Sequence, residues 1–114
     1  MNWLTLEDVT SLDEVISASF DSNLKAVAIF KHSTRCPISF AAKSRLELAW
    51  DFKDELPIYY LDLINFREIS NEIAERFNIQ HESPQILIVK NGECIHHASH
   101  ISISAKEIAK LFNN

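Results

Sequence analysis

Residues 30–39 constrain the fold of this chain more than any other stretch. They connect an apolar run, Ala26 to Phe30, to a helical pattern that begins near Pro37, and Cys36 lies at the junction. The run predicts a strand covered on both faces, because its apolar residues do not alternate with polar ones. Proline is favoured at the first helical position, where its missing N–H is not needed. The stretch therefore predicts a strand, a short loop and a helix, with one thiol at the helix start.

The position of Cys36 favours a reactive thiol. The start of a helix has free N–H groups and a partial positive charge, and both stabilise a thiolate relative to a thiol. Arg35 adds a full positive charge beside it. The alternative is a structural cysteine, since free cysteine is among the residue types most often buried. We favour the reactive thiol because Cys36 follows a strand, precedes Pro37 and neighbours Arg35.

Size and charge limit the classes of function. A chain of 114 residues forms one domain with a single core. The net charge of −5 gives no electrostatic reason to expect nucleic acid or an anionic membrane as a partner. No apolar run approaches the roughly 20 residues of a membrane span, and the N-terminus does not resemble a signal peptide. Because two cysteines do not make the disulfide framework of a secreted domain, we expect a cytoplasmic protein.

Helical and strand patterns divide the rest of the chain. Ser11, Asn65 and Ser104 resemble the polar residues that cap helices, and each precedes apolar residues at helical spacing. Asn91-Gly92 lies between two strand-like runs and is the strongest short-range signal for a hairpin. The predicted helices begin near residues 11, 37, 65 and 104, and the predicted strands cover 25–31, 58–61, 86–89 and 93–99. No element is predicted for residues 1–10.

The order of these segments predicts a single α/β domain over residues 1–114. The first two strands are separated by a helix, so they are parallel and joined by a right-handed crossover. The C-terminal hairpin adds two antiparallel strands. A four-stranded mixed sheet with helices on both faces is the simplest arrangement that buries the apolar faces.

This topology collects the candidate residues at one end of the sheet. Cys36 lies beyond the carboxyl end of the first strand, where open α/β sheets usually bind substrates. Ser83 and Pro84, at the start of an antiparallel strand, return to the same end, and His100 follows the return strand there. Cys94 lies past the hairpin turn at the other end, roughly 17–20 Å away. A disulfide needs Cα atoms within about 7 Å, so we do not expect Cys36 and Cys94 to pair.

The five histidines do not indicate a metal site. His96 and His97 point to opposite faces of their predicted strand, and no Cys-x-x-Cys or His-Glu-x-x-His spacing occurs. We therefore expect no bound metal. We expect His32 to be a polar loop residue. His100, near the reactive end, is a candidate to tune Cys36 or to bind a ligand.

Several segments of the chain resemble one known family. They are Ser33-Thr34-Arg35-Cys36-Pro37-Ile38-Ser39, residues 67–70 with 81–85, and residues 99–100. On these residues the sequence resembles the thioredoxin superfamily and, more closely, the YtxJ-type monothiol bacilliredoxin-like family, over essentially the whole chain. The resemblance implies a thioredoxin-like fold. It also implies thiol–disulfide exchange that removes bacillithiol, a small thiol, from mixed disulfides on proteins.

The resemblance further implies residue roles. Cys36 is then the nucleophile and Pro84 a cis-proline facing it. Ser39 lies where dithiol thioredoxins have a resolving cysteine, so a second thiol or a reductase must clear the small thiol from Cys36. We expect no tightly bound cofactor, the small thiol as co-substrate, and S-thiolated client proteins and a recycling thiol or reductase as partners. Supporting or ligand-binding roles are expected for Thr34, Arg35, Pro37, Ser39, Ser83, Pro84 and His100.

Most of the supporting roles have structural alternatives. Thr34 and Arg35 either position the sulfur or a carboxylate-bearing ligand, or form a solvated loop. Ser39 either donates a hydrogen bond to the thiolate or satisfies N–H groups at the helix start. The Ser83 main chain beside Pro84 either pairs with an incoming substrate strand or only begins a strand.

Two other functions fit the same fold. A non-catalytic binding module would recruit a partner through the groove beside Pro84 without chemistry at Cys36. An iron–sulfur cluster carrier of the monothiol glutaredoxin kind would share the cluster between one protein thiol per subunit and a small thiol. This chain has Cys36-Pro37-Ile38-Ser39 where that family has Cys-Gly-Phe-Ser, which counts against the carrier.

Overall fold

The computed structural model describes residues 1 to 112, which form a five-stranded sheet and four α-helices. The strands are β1 (Trp3–Thr5), β2 (Val27–His32), β3 (Ile58–Asp62), β4 (Gln85–Lys90) and β5 (Glu93–Ser99). The helices are α1 (Val9–Ala18), α2 (Pro37–Ala49), α3 (Arg67–Phe77) and α4 (Ala105–Lys110), with a 3-10 turn over His100–Ser102. No helix within residues 1 to 112 is long and apolar enough to span a membrane.

The strand order β1-β3-β2-β4-β5 confirms the predicted mixed α/β sheet. The strands β1, β3 and β2 are parallel, β4 is antiparallel to β2, and β5 is antiparallel to β4. All six residues of the central strand β2 are buried. This burial follows from its position, because helices cover both of its faces.

The sheet has five strands rather than the predicted four. Strand β1 pairs with β3, placing Trp3 opposite Ile58 and Thr5 opposite Tyr60. The Trp3 ring also packs against Phe30, with ring centroids 5.5 Å apart. Three residues are too few for a periodic signal in the sequence. Tertiary pairing therefore determines this strand.

Two helices begin differently from the prediction. Asp8 caps α1 by accepting a hydrogen bond from the Ser11 amide at 2.7 Å, so this helix begins before Ser11. Asn65 does not cap α3, and its side-chain amide instead donates to Asp62 Oδ2 at 2.8 Å. The predicted cap of α4 is confirmed, because Ser104 Oγ accepts a hydrogen bond from a backbone amide of the first turn.

Consecutive residues of β2 face two separate layers of the core. Phe30 packs in the layer beneath α2 and α4, and Ile29 packs in the layer beneath α1 and α3. Side chains alternate along a strand, so Lys31 and His32 at the end of β2 also enter opposite layers. These two polar residues are central to the site described next.

Candidate active site

Cys36 lies in a tight turn between β2 and α2, as the sequence predicted. The Cys36 amide donates to the Ser33 carbonyl at 3.2 Å, and the Arg35 amide donates to Ser33 Oγ at 3.4 Å. Cys36 is the N-cap residue of α2, and Pro37 occupies its first position. The Cys36 side chain is half-buried and free. The turn therefore holds Cys36 at the helix start, with part of the residue exposed.

The first turn of α2 leaves hydrogen-bond donors near Cys36. The amides of Ser39 and Phe40 both donate to the Cys36 carbonyl, at 3.1 and 3.2 Å. Pro37 has no N–H, and the Ile38 amide is one of the groups that a helix leaves without an internal partner at its start. A helix start with such free donors generally stabilises an anion. The arrangement therefore suits a thiolate.

Three predicted supporting residues flank Cys36 along the chain. Thr34, Arg35 and Pro37 are all exposed, so a ligand at Cys36 can reach them. Arg35 carries its positive charge on the residue next to Cys36. Their roles in binding stay predictions.

The Ser83–Pro84 segment lies at the same end of the sheet. Its peptide bond is cis, as the resemblance implies. Lys31 lies opposite Gln85 in the pairing of β2 with β4, which places Pro84 beside the end of β2, where the Cys36 turn begins. Ser83 Oγ is buried and has no hydrogen-bond partner within residues 1 to 112. The two segments that the sequence singled out therefore meet at one end of the fold.

His100 returns to this end, as the topology predicted. Its amide donates to the Pro84 carbonyl at 3.1 Å, and its own carbonyl accepts from Arg45 Nη2 of α2 at 2.9 Å. Its φ of +54° is left-handed, which histidine adopts more readily than most residues. The side chain is exposed. The His100 backbone thus links α2 to the Pro84 segment, and a role for its ring stays a prediction.

His32 is buried, so the prediction of a polar loop residue is wrong. Strand β2 pairs with β3 through this residue, and none of its surface is exposed. Its ring packs among Phe30, Phe40 and Tyr60, with ring centroids 5.8, 4.6 and 5.4 Å away. Burial lowers the pKa of His32, and the charge of Lys43 lowers it further. The ring is therefore neutral at pH 7.

Ser39, like His32, has no exposed surface, and it contacts the Cys36 turn on the side that faces the core. Its Oγ accepts a hydrogen bond from the Ser33 amide at 3.1 Å and lies 2.6 Å from Nδ1 of His32. These partners differ from the two that the sequence suggested, which were the Cys36 sulfur and the amides at the helix start. The residue in the place of a resolving cysteine is thus part of a buried hydrogen-bond chain.

A buried cation on the other face of β2 was not anticipated from the sequence. Lys31 is fully buried, and its Nζ donates to the Ser70 carbonyl at 3.1 Å and lies 3.2 Å from Nδ1 of His81. Burial lowers the pKa of Lys31 to about 8, and the charge of Arg67 adds to the effect. Burial and the charges of Lys31 and Arg67 lower the pKa of His81, so its neutral ring accepts a hydrogen bond from Lys31. The sequence signal that could have revealed this buried cation is a lysine within a strand that is predicted to be buried on both faces.

Cys94 lies at the opposite end of the sheet. It pairs with Val89 next to the Asn91-Gly92 turn, and its Sγ donates to the His96 carbonyl at 3.3 Å. Burial raises the pKa of its thiol. Within residues 1 to 112, no group of three His, Cys, Asp or Glu side chains is placed to hold a metal ion.

Solved thioredoxins share this fold. A thioredoxin from Malassezia sympodialis is 15% identical, covering 96% of this chain and 87% of that chain, with a TM-score of 0.72. A thioredoxin from Fasciola hepatica is 11% identical, covering 95% of this chain and 94% of that chain, with a TM-score of 0.71. Likeness at such identities establishes the fold alone. The predicted thioredoxin-like fold is confirmed.

Two further similarities concern the family. A thioredoxin-fold protein proposed to be an oxidoreductase is 29% identical, covering 97% of this chain and 94% of that chain, with a TM-score of 0.82. The family model described as monothiol bacilliredoxin BrxC matches residues 5–108. The fold and the family together support a thiol redox function. Since the match spans nearly the whole chain, this protein belongs to the monothiol bacilliredoxin BrxC family.

Proposed function

We propose that this protein removes bacillithiol, or a similar small thiol, from mixed disulfides on client proteins by accepting it on Cys36. One observation carries the proposal. Cys36 is a half-buried free thiol at the start of α2, at the end of the sheet that also holds the cis-proline segment. A buried serine, Ser39, lies where a dithiol enzyme would have its second cysteine. This arrangement suits one exchange step at one sulfur.

In that step the Cys36 thiolate attacks the sulfur of the small thiol within the mixed disulfide. A new S–S bond forms to Cys36 as the old one breaks, and the client cysteine leaves as a thiolate. The client is reduced, and Cys36 ends in a mixed disulfide, so the electrons balance without another reactant. The exposed guanidinium of Arg35 is available to pair with a carboxylate of the small thiol.

Recycling then needs a second molecule, because Ser39 has no sulfur. A thiolate of another small thiol attacks the small-thiol sulfur of the adduct and releases Cys36. The product is the symmetrical disulfide of the small thiol, which a reductase returns to the thiol form. Such a cycle requires a reduced thiol pool, so we place it in the cytoplasm. Its partners are S-thiolated clients and the recycling thiol or reductase, with no nucleic acid or membrane.

The test is release of a model client that carries bacillithiol on one cysteine. We expect the wild-type chain to free the client and to gain one small-thiol adduct by intact mass. In Cys36→Ser, the rate of client release should fall by roughly a hundredfold or more, since no nucleophile remains. Cys94→Ser is the matched control, and it should release the client at the wild-type rate. A parallel client carrying glutathione tests which small thiol is preferred.

Slow client release that Cys36→Ser leaves unchanged would contradict the proposal and favour the binding module. In that case the Cys36→Ser variant would bind a partner at the Pro84 groove as well as the wild-type chain does. A coloured protein after purification without oxygen would instead favour cluster carriage.

A further inference from the structure

Three buried residues form a hydrogen-bond chain that spans the Cys36 turn. The Ser33 amide donates to Ser39 Oγ at 3.1 Å, and Ser39 Oγ lies 2.6 Å from Nδ1 of His32. His32 and Ser39 have no exposed surface, and Ser33 is 8% exposed. Ser33 precedes Cys36 by three residues, and Ser39 follows it by three. The chain therefore joins the two sides of the segment that carries the sulfur.

The directions of these bonds follow from counting donors and acceptors. Neutral His32 carries one ring proton, and its Nε2 is buried without a partner within residues 1 to 112. If the Ser39 hydroxyl donates to Nδ1, one buried N–H is left unpaired. If Nδ1 carries the proton, both the hydroxyl hydrogen and the Nε2 lone pair are left unpaired. Because each unpaired buried group is unfavourable, the first arrangement is preferred, and Ser39 donates to His32.

The His32 ring is itself held rigidly. Three aromatic rings surround it at centroid distances of 4.6 to 5.8 Å, and its carbonyl accepts the Leu63 amide of the neighbouring loop at 3.0 Å. A fixed ring gives Ser39 Oγ a fixed acceptor. Oγ in turn holds the Ser33 amide, and the Ser33 carbonyl accepts the Cys36 amide at 3.2 Å. Three hydrogen bonds in series therefore connect strand β2 to the Cys36 backbone. They join His32 to Ser39, Ser39 to Ser33 and Ser33 to Cys36.

We propose that His32 and Ser39 are positioning residues that hold the Cys36 turn, and thereby the sulfur, against the start of α2. The proposal rests on the proposed function in one respect: the group that is positioned, the Cys36 thiol, is the nucleophile of the proposed exchange reaction. Within residues 1 to 112, the side-chain hydrogen bonds of His32 and Ser39 go to each other and to the Ser33 amide, and none goes to Cys36 Sγ. Ser39, which lies in place of a resolving cysteine, therefore has a structural role: it connects the Cys36 turn to His32 in β2.

The test measures Cys36 without any client. In a Cys94→Ser background, the rate of alkylation by iodoacetamide against pH reports on Cys36 alone. Amide hydrogen exchange at Ser33 reports on the hydrogen bond to Ser39. The variants are Ser39→Ala, which removes Oγ, and His32→Asn, whose amide oxygen can accept the Ser39 proton from near the position of Nδ1.

Ser19→Ala is the matched control. Ser19 is also fully buried, and its Oγ bonds to the Ile16 carbonyl and the Gly92 amide at the other end of the sheet. Its removal deletes a buried hydroxyl and both of these hydrogen bonds, as Ser39→Ala does at the Cys36 turn, and the Ile16 carbonyl keeps the Ser19 amide as a donor at 3.1 Å. It should leave alkylation of Cys36 and exchange at Ser33 unchanged.

We expect Ser39→Ala to slow alkylation at pH 7 by about threefold to tenfold, as loss of one buried hydrogen bond predicts, and to speed exchange at Ser33. His32→Asn should stay within about twofold of the wild-type rate, because it keeps the acceptor. Equal rates and equal Ser33 exchange in Ser39→Ala and Ser19→Ala would overturn the proposal. Because alkylation needs no client, a failure of client release would contradict only the proposed function.

Discussion

The buried amino group of Lys31 makes a strong prediction about stability and pH. Lys31 Nζ has the Ser70 carbonyl and the His81 ring as partners, and none of the ion pairs within residues 1 to 112 includes it. Its charge is therefore buried without an opposite charge. Replacing it by methionine, in Lys31→Met, removes the charge and keeps most of the volume. The variant isolates what the charge costs the folded state.

The size of the effect follows from the pKa of Lys31, which burial lowers from 10.5 to about 8. The unfolded chain therefore binds more protons than the folded chain between these two pH values, and the free energy of unfolding increases with pH across that window. A pKa difference of this size corresponds to at most about 3 kcal/mol. We expect about half of that, because buried charges in proteins behave as if the effective dielectric constant were about 20, well above that of a dry interior. Below the folded-state pKa this contribution to stability is absent.

Urea unfolding at a series of pH values from about 7 to about 10.5 measures this difference. The wild-type protein should gain about 1–2 kcal/mol relative to Lys31→Met as the pH rises through the window. Tyr59 and Tyr60, whose pKa values burial raises, are present in both proteins and cancel in the comparison. Lys106→Met, at an exposed position, controls for the change in net charge. A stability difference that stays constant with pH would refute the reasoning.

Three further predictions concern packing and the second thiol. Gly92→Ala should lower the free energy of unfolding by about 1–2 kcal/mol in urea, because Gly92 has a φ of +79° and a new Cβ would lie 2.9 Å from Phe20 Cζ; unchanged stability would contradict this reading. Leu46→Ala should lower the free energy of unfolding by about 2–5 kcal/mol, because Leu46 is fully buried. Leu48→Ala, at a position that is 90% exposed, should change it by less than about 0.5 kcal/mol. In a chain whose only thiol is Cys94, alkylation at pH 8 should speed up at least about tenfold on unfolding in urea, because burial raises the pKa of this thiol; equal rates in the folded and unfolded chains would count against it.

Local signals predicted the parts of the site that follow one another along the chain. The apolar run, Cys36 and Pro37 indicated a strand, a turn and a helix start, and the structure places them so. Asn91-Gly92 indicated the hairpin between β4 and β5. A helix start and a tight turn depend on the conformational preferences of a few neighbouring residues. The sequence therefore determined where the cysteine lies relative to its own helix, and which end of the sheet it shares with Pro84.

Contacts between distant segments decided the rest. Strand β1 exists because Trp3 pairs with Ile58, and nothing within its own three residues indicates a strand. The predicted strand ended at Lys31, and His32 was expected in a polar loop, yet both residues are fully buried. Lys31 finds its acceptor at Ser70, 39 residues further along the chain. A polar group is buried only where the fold supplies hydrogen-bond partners, and those partners come together only after the helices have packed on both faces of β2.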